Sequence, residues 1–292
     1  MSPDVLRGNL AVLVSTLLWA SAFPVTQRLL ESWDPLPLAA ARLGLASAVM
    51  LVMAVMTRQL PRLATLPWRD IALLGGLGVA VSVLCLLGGQ ALSDPVTASA
   101  IATMQPVAAA LIGYAGGRER LRPLQVAGIL LAVSGAMVIS PTAQGAGFRG
   151  GEPLLVANVL LWTWYSHGAR ERLPRLGAFA AGGLTMAVAS MALALATLAL
   201  EPFRPQAIDL DLGSLPWLLW MGAVGVGLSV PLWLQGMRLL GLTIASLHIN
   251  LAPFYVILIG LAFGGTVSAT QILGAALVAT GALVAQWFRQ AR

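Results

Sequence analysis

The second half of the sequence repeats the first, and each half contains an odd number of apolar segments. A block that begins at Gly75 returns, at a nearly constant offset, as a block that begins at Gly222. The matching positions are Gly75, Gly78, Val79, Ser82, Val83, Leu87, Gly89 and Leu92, which return as Gly222, Gly225, Val226, Ser229, Val230, Leu234, Gly236 and Leu239. If the segments cross a membrane, an odd number per copy inserts the second copy with the opposite orientation.

The repeat continues to the end of both halves. Ala98, Ser99, Pro106, Leu111, Ile112 and Gly113 return as Ala245, Ser246, Pro253, Leu258, Ile259 and Gly260, and Gln125, Gly128 and Gly135 return as Gln271, Gly274 and Gly281. A stretch that begins at Gly145 and ends at Pro153 separates the copies and has the composition of a connection. We therefore divide the chain into a first repeat, 1–144, and a second, inverted repeat, 145–292.

Composition excludes an ordinary soluble domain, because 58% of the 292 residues are apolar, 10% are charged and the mean hydropathy is +0.86. Apolar segments of about 20 residues, each able to cross a hydrocarbon core of roughly 30 Å, follow one another along the chain. We predict an all-α polytopic membrane protein with ten transmembrane helices, arranged as two inverted five-helix repeats around a central cavity. The predicted spans 1 to 10 are about 8–30, 36–57, 70–91, 95–116, 123–140, 153–172, 177–200, 214–238, 243–264 and 268–288.

The net charge of +6 follows this topology. With a cytoplasmic N-terminus, the inner side receives most of the arginines, namely Arg7, Arg58, Arg62, Arg69, Arg118, Arg120, Arg122, Arg170, Arg172, Arg175, Arg238, Arg289 and Arg292. The outer side receives Arg28, Arg42, Arg149 and Arg204, together with Glu31, Asp34, Asp94, Glu201, Asp209 and Asp211. This distribution is typical of the positive-inside rule. It predicts a multi-pass membrane protein with both termini in the cytoplasm, and it explains the net positive charge without a nucleic-acid partner.

No aspartate or glutamate lies in the middle of a predicted span. A membrane-buried carboxylate is the usual proton or cation relay, so its absence from the sequence favours transport without ion coupling. Cys85 is the single cysteine, which excludes a disulfide framework and a thiolate metal site. No nucleophile and base have convincing spacing, so we predict no catalytic residues, no metal site and no cofactor.

Polar side chains follow one helix face in corresponding spans of both halves. In span 4 the face contains Ser99, Thr103 and Pro106, and in span 9 it contains Ser246, Asn250 and Pro253. The other faces are Ser15, Trp19 and Phe23 in span 1, Asn158, Trp162 and Tyr165 in span 6, Ser82 in span 3, and Ser229 and Trp233 in span 8. Such faces either line a cavity or pack helices through small residues. An amide needs several partners, so Asn158 and Asn250 are candidates both for cavity lining and for links between helices.

Four prolines lie in the interior of predicted spans, away from their first residues. Pro106 and Pro253 lack the N–H that would bond the carbonyl groups of Ala102 and Ile249, and carbonyls freed in this way are tolerated where they line a cavity. Pro24 and Pro231 are candidate hinges in spans 1 and 8, with a static kink as the alternative.

These features resemble those of EamA-type members of the drug/metabolite transporter superfamily. The resemblance is based on the ten spans, the two five-span repeats, the segment Leu17-Leu18-Trp19-Ala20-Ser21-Ala22-Phe23-Pro24, and a proline late in spans 4 and 9 that precedes Leu-Ile-Gly. Within the superfamily the sequence is most similar to the YddG-type amino-acid exporters. The resemblance implies a protein of the bacterial inner membrane with a cavity lined by spans 1, 3, 4, 6, 8 and 9. It favours as substrate-binding residues Trp19, Ser21, Ser99, Thr103, Trp162, Tyr165, Trp233, Asn250 and Tyr255. Asn158, from the polar face of span 6, completes the set of ten candidates.

The resulting functional hypothesis is an exporter of aromatic and other neutral amino acids with broad specificity, working by alternating access and facilitated diffusion. The expected partners are the amino-acid substrate and the lipid bilayer, and both a monomer and a homo-oligomer stay open. One alternative is a multidrug or metabolite exporter. Another is a sugar-phosphate or nucleotide-sugar antiporter, which the sequence disfavours because phosphate needs buried cations, and only Arg42 and Arg238 approach a span.

Overall fold

The computed structural model describes residues 3–115, 123–139, 150–240 and 248–287, and the regular secondary structure of these residues is entirely helical. We number the helices after the ten predicted spans. They are α1 (Pro3–Leu29), α2 (Pro35–Met56), α3 (Trp68–Ala91), α4a (Pro95–Ala102), α4b (Gln105–Ala115), α5 (Pro123–Ile139), α6 (Gly151–Arg172), α7 (Ala178–Leu200), α8 (215–240), α9 (Ala252–Ala262) and α10 (Ala269–Trp287). Ser246 and the connection at 145–149 lie outside the described residues.

Helix boundaries follow local sequence signals. Asp34 precedes Pro35 at the start of α2, and Asp94 precedes Pro95 at the start of α4a. Proline suits the first helical position because its missing N–H would have no helical partner there. At α4a the Asp94 carboxylate also accepts hydrogen bonds from the backbone N–H groups of Val96 and Thr97, at 2.9 and 3.0 Å. These contacts fix where the helix begins.

Five of the helices in the described parts of the chain are long and apolar enough to cross a membrane. They are Pro3–Leu29, Pro35–Met56, Trp68–Ala91, Ala178–Leu200 and Leu215–Gly236. Shorter apolar stretches occur at Val126–Val138, Ala252–Ala262 and Ala269–Val284. Large apolar side chains also stay exposed on the outside of the bundle, such as Val55, Met137 and Leu198, which are 61%, 67% and 70% exposed. A surface of this kind is suited to lipid rather than water.

Helices α4 and α9 are interrupted at matching places. Helix α4a ends at Ala102 and α4b begins at Gln105, so the break falls just before Pro106. The chain forms a turn at Asn250 and Leu251, and α9 begins at Ala252, just before Pro253. Helix α1, in contrast, continues without interruption through Pro24, and Pro231 lies near the start of the α-helical part of α8.

Wide helical turns occur at corresponding positions of α3 and α8. The backbone has π-helical geometry over Leu74–Ala80 in α3 and over Trp220–Leu228 in α8. Both segments contain the repeated glycines, and each packs tightly against a neighbouring helix. A Cβ built on Gly75 would lie 2.6 Å from the carbonyl oxygen of Thr185, and one built on Gly222 would lie 2.6 Å from the Cβ of Leu45. The glycines therefore allow close approach of α3 to α7 and of α8 to α2.

The helices pair in a pattern that is unchanged when the two halves are exchanged. Helix α1 packs against α8 as α6 packs against α3, α2 packs against α7, and α5 packs against α10. The contacts between α2 and α7 are reciprocal, since the Ser47 hydroxyl donates to the Gly183 carbonyl at 2.9 Å and the Ser190 hydroxyl donates to the Ala40 carbonyl at 2.8 Å. The repeat in the sequence thus corresponds to a repeat in the packing.

Candidate functional site

The two helix breaks place a polar side chain at the same position in each half. Thr103 lies in the gap between α4a and α4b, and Asn250 lies in the turn before α9. Both side chains are buried, at 0% and 5% exposed. Helix α9, which begins two residues after Asn250, packs against α1 and α4a, and these two helices carry the candidates Trp19, Ser21 and Ser99.

Asn250 has a buried amide with unused hydrogen-bonding capacity. Neither its Nδ2 nor its Oδ1 atom has a hydrogen-bond partner among the described residues. A buried amide without partners costs free energy, about 1–3 kcal/mol on mutational scales, unless a ligand or water completes it. A group that both donates and accepts is suited to the ammonium and carboxylate of an amino acid. Asn250 is therefore the strongest candidate contact in the described part of the bundle.

Hydroxyl groups of the other polar candidates are occupied by nearby carbonyls. Ser99 donates to Val96 at 2.9 Å, Thr103 donates to Ala100 at 2.8 Å, and Ser21 donates to Leu18 at 2.7 Å. Ser21 also accepts a hydrogen bond from the Trp220 indole at 2.9 Å, which joins α1 to α8. These hydroxyls retain accepting capacity, but in this conformation their protons are committed to the backbone.

Asn158 links two helices. Its Nδ2 donates to the carbonyl oxygen of Ser82 at 2.9 Å and to the Ser82 hydroxyl at 2.8 Å, so α6 is joined to α3. The corresponding contact in the other pair runs from the Ser15 hydroxyl to the carbonyl oxygen of Ser229 at 2.7 Å. Of the two roles that the sequence left open for Asn158, the structure shows the interhelical link.

The Asn158–Ser82 contact predicts a measurable coupling. Asn158→Ala, Ser82→Ala and the double variant should give non-additive losses of stability, with a coupling free energy of about 0.6–1.7 kcal/mol, as for hydrogen bonds between membrane helices. Denaturant unfolding in detergent micelles would measure it. Additive losses would contradict the link. Unchanged stability of Asn158→Ala with reduced transport would instead assign the amide to the substrate.

Aromatic candidates form pairs on α1 and α6. The rings of Trp19 and Phe23 meet edge to face at 5.0 Å, and those of Trp162 and Tyr165 meet at 5.2 Å with a tilt of 46°. The Tyr165 hydroxyl lies 3.0 Å from the Thr185 hydroxyl on α7. Trp19, Trp162, Trp233 and Tyr255 are half-buried, so part of each ring is open to the surroundings. Half-buried rings on adjacent helices are suited to contact with apolar side chains of a ligand.

The cavities among the described residues include two that lie next to helices carrying candidate residues. The larger, of about 210 Å³, lies between α1, α4a, α9 and α10 and is lined by Pro24, Asp94, Pro95, Val96, Val256, Ile257, Gly260, Gly265, Thr266, Val267 and Gln271. The smaller, of about 40 Å³, is apolar and lies between α4 and α6. Of the candidate residues, Pro24 lines the larger cavity. Neither of these two cavities is lined by any of the ten substrate-binding candidates.

Several buried polar residues lie outside the substrate-binding set that the sequence predicts. Gln90, at 1% exposed, donates from Nε2 to the Phe23 carbonyl at 2.6 Å, and Arg42, at 4% exposed, donates to the Thr26 hydroxyl at 3.4 Å. The Thr16 hydroxyl is buried without a partner. A glutamine or arginine within an apolar run is a usable signal. The repeat gives no such signal, because it shows only residues that recur in both halves.

Comparison with known proteins assigns the family. The model of the EamA-like transporter family matches the chain twice, over residues 6–140 and over residues 149–286. The chain belongs to the EamA-like transporter family. Membership implies a membrane-embedded transporter of a small molecule, which agrees with the long apolar helices. The expected resemblance to EamA-type transporters is thereby confirmed.

Curated relatives are similar over different shares of the chain. The uncharacterized transporter YyaM of Bacillus subtilis (strain 168) is 24% identical over 87% of this chain and 85% of its own length. A probable terminal-alkyne amino-acid exporter of Streptantibioticus cattleyicolor is 28% identical over 56% of this chain and 55% of its own. The uncharacterized transporter YdfC of Bacillus subtilis (strain 168) is 34% identical over 44% of this chain and 41% of its own.

A solved crystal structure has the same fold. It superposes with a TM-score of 0.67 at 24% sequence identity and covers 99% of this chain and 99% of its own. At this identity the likeness shows the fold alone. The arrangement of the helices is therefore shared along the whole length of the chain.

Proposed function

We propose that the protein exports amino acids across the bacterial inner membrane, with broad specificity for aromatic and other neutral side chains. Export proceeds by alternating access and facilitated diffusion. The observation that carries the proposal is the buried, unpartnered amide of Asn250 at the break before α9. Among the relatives, the probable terminal-alkyne amino-acid exporter supports this substrate class.

The transport mechanism rests on ten membrane crossings arranged as two inverted halves. Three observations support that arrangement. The family model matches each half separately, and the pattern of helix pairs stays the same when the two halves are exchanged. The wide turns of α3 and α8 also lie at corresponding positions of the two halves. Breaks at Thr103 and Asn250 correspond in the same way. Two inverted halves can rock about a shared site, which exposes it to either side of the membrane in turn. The arginine-rich loops on the proposed inner side support a cytoplasmic location of both termini.

The proposed binding chemistry combines one amide with aromatic rings. Asn250 contacts the amino-acid head group, and the rings of Trp19 and Trp162 contact an apolar side chain. A zwitterion carries no net charge, so the membrane potential, worth about 2.3 kcal/mol per charge per 100 mV, does not oppose its movement. Few polar contacts discriminate weakly between side chains, which accounts for broad specificity.

Reconstituted flux tests the proposal. Purified protein in liposomes should carry radiolabelled phenylalanine down its gradient, and a pH gradient or membrane potential should leave the rate unchanged. Trp162→Ala should reduce that flux several-fold, because removing one aromatic contact of about 0.5–1.5 kcal/mol weakens binding of the ring. The matched control is Trp68→Ala, since Trp68 lies at the very start of α3, half-exposed at the bundle surface.

Each of the following outcomes would contradict a different part of the proposal. Uphill accumulation driven by protons would overturn the uncoupled mechanism and leave the substrate class intact. Absence of phenylalanine flux, with efflux of unrelated organic cations, would replace amino-acid export by multidrug export. Equal loss in Trp162→Ala and Trp68→Ala would remove the aromatic contact from the site.

A further inference from the structure

A charged side chain that the proposed function does not use is buried in α2. Arg42 is 4% exposed and lies seven residues after Pro35, about 10 Å along the helix from its start. That depth places its guanidinium inside the apolar segment Pro35–Met56. An ionisable residue inside a membrane is expensive, and it usually marks a site of function with a partner of opposite charge.

The protein supplies Arg42 with little compensation. Its recorded hydrogen bond is from Nη1 to the Thr26 hydroxyl, at 3.4 Å, which is long for a charged donor. Thr26 is itself fully buried and donates to the Ala22 carbonyl at 2.7 Å. No carboxylate of the described residues forms an ion pair with Arg42. A guanidinium has five N–H donors, so most of its capacity is available to a ligand.

Packing of the repeated helices does not require an arginine at this position. Gly222 of α8 approaches the backbone of Arg42, with a built Cβ 3.0 Å from its carbonyl oxygen. The corresponding glycine of α3, Gly75, approaches the carbonyl oxygen of Thr185 in the same way. The same close approach is therefore made in one half by an arginine and in the other by a threonine. The cation is particular to one half of the molecule.

Arg42 also contacts the helix face that carries the proposed aromatic site. Thr26 lies seven residues after Trp19, which is two helical turns or about 10 Å further along α1 on the same side. Ser15 lies one turn before Trp19 on that face and binds α8. The guanidinium therefore lies at one end of the α1 face that contains Ser15, Trp19 and Thr26. The half-buried Trp19 ring lies in the middle of this face.

We infer that Arg42 is the anion subsite of the transporter and binds the carboxylate of its amino-acid substrate. The planar fork of a guanidinium matches the two oxygens of a carboxylate, with two parallel N–H donors. Thr26 holds one side of the fork and orients it. The inference rests on the proposed function and deepens it, because it makes a free carboxylate a requirement for recognition.

The requirement for a free carboxylate distinguishes three aromatic compounds that share a phenyl ring and differ in their charged groups. Phenylalanine has both head groups, phenylacetate keeps the carboxylate alone, and 2-phenylethylamine keeps the amine alone. Phenylalanine and phenylacetate at several times their dissociation constants should raise the thermal unfolding midpoint of the detergent-purified wild-type protein by about 2–4 °C, because a ligand that binds only the folded state stabilises it. 2-Phenylethylamine should give a smaller shift.

Substitution of Arg42 should remove the response to carboxylates selectively. Arg42→Gln should abolish the shifts with phenylalanine and phenylacetate, lower phenylalanine flux at least about ten-fold, and leave the shift with 2-phenylethylamine unchanged. Arg42→Lys, which keeps the charge and loses the fork, should be intermediate. Thr26→Val keeps the arginine and its fold, and it should weaken phenylacetate binding by a smaller factor.

Each result decides the inference. Unchanged carboxylate responses in folded Arg42→Gln protein would overturn it, as would equal loss for all three probes. If Arg42→Gln fails to fold, the ranking of Arg42→Lys and Thr26→Val against wild type still tests it, and equal responses of all three proteins would contradict it. Carboxylate responses that depend on Arg42, without phenylalanine flux in the wild type, would refute amino-acid export and keep the subsite. Phenylalanine flux that Arg42→Gln leaves unchanged would refute the subsite and keep amino-acid export.

Discussion

Phenylalanine flux through reconstituted Asn250→Ala protein is expected to fall by about 10- to 100-fold, the equivalent of about 1.5–3 kcal/mol for a hydrogen bond to a charged group. Both amide atoms of Asn250 are buried without partners, so the substitution removes contacts that only a substrate or water can complete. For the same reason the loss of stability should be small, since no described hydrogen bond is broken. A large functional loss with a small stability loss is the signature of a binding residue.

The control for Asn250 is a polar side chain outside the proposed site. Ser134 of α5 is exposed and its hydroxyl donates to the Leu130 carbonyl at 2.9 Å, so Ser134→Ala should leave flux unchanged. Asn250→Asp is a second informative variant, because a carboxylate would repel the carboxylate of the substrate while keeping the shape of the amide. Equal flux in wild type and Asn250→Ala, measured per folded molecule, would remove this residue from the site.

Helix positions could be predicted from the sequence because strong local signals mark where apolar segments begin or are interrupted. Asp34-Pro35 and Asp94-Pro95 mark the starts of α2 and α4a, and Pro106 and Pro253 mark the breaks. These signals act over a few residues, so no knowledge of packing is needed to interpret them. The count of ten crossings and their inverted orientation stay predictions, supported by the repeat.

Partners of the polar residues could not be predicted, because they depend on helix pairing across the whole chain. The indole of Trp220 donates to Ser21, which lies 199 positions away, and Asn158 donates to Ser82, which lies 76 positions away. The sequence placed Ser82 and Asn158 on polar faces but gave no means of deciding that the faces meet.

The repeat was both the best guide and a source of error. It identified Thr103 and Asn250 as equivalents, and both lie at helix breaks. However, a repeat carries no signal for residues without a counterpart, and Arg42 and Gln90 are such residues. Transport requires two similar halves, but binding of an asymmetric substrate requires side chains that differ between them. Functional residues of a duplicated carrier are therefore expected among the departures from the repeat as well as within it.

The largest stability effect is expected at Gly281 of α10, where an added Cβ would come closer to backbone atoms of a neighbouring helix than at the other described glycines. A Cβ at Gly281 would meet the backbone of the partner helix, with the Gly128 carbonyl oxygen 2.6 Å away and the Ala132 Cα 2.8 Å away. Backbone atoms cannot rotate aside, so Gly281→Ala must push the helices apart. The expected cost is about 3 kcal/mol, which lowers the thermal midpoint by about 6–12 °C.

Gly76→Ala is the matched control, since a Cβ at Gly76 has no neighbour within 4 Å. The same chemical change should there leave the midpoint unchanged or raise it slightly, because alanine favours a helix more than glycine does. Gly135→Ala should resemble Gly281→Ala, as its Cβ would lie 2.6 Å from the backbone nitrogen of Val278. An unchanged midpoint in both variants would show that α5 and α10 are not closely packed in the native protein.

The same variants separate folding from transport. Helices α5 and α10 contribute none of the proposed substrate contacts, so the protein that still folds after Gly281→Ala should carry phenylalanine at the wild-type rate per molecule. Asn250→Ala should show the opposite pattern, with normal folding and slow flux. If the flux per folded molecule of Gly281→Ala instead falls in proportion to its thermal midpoint, α5 and α10 move during the transport cycle. A passive scaffold would not transmit such a loss to the binding site.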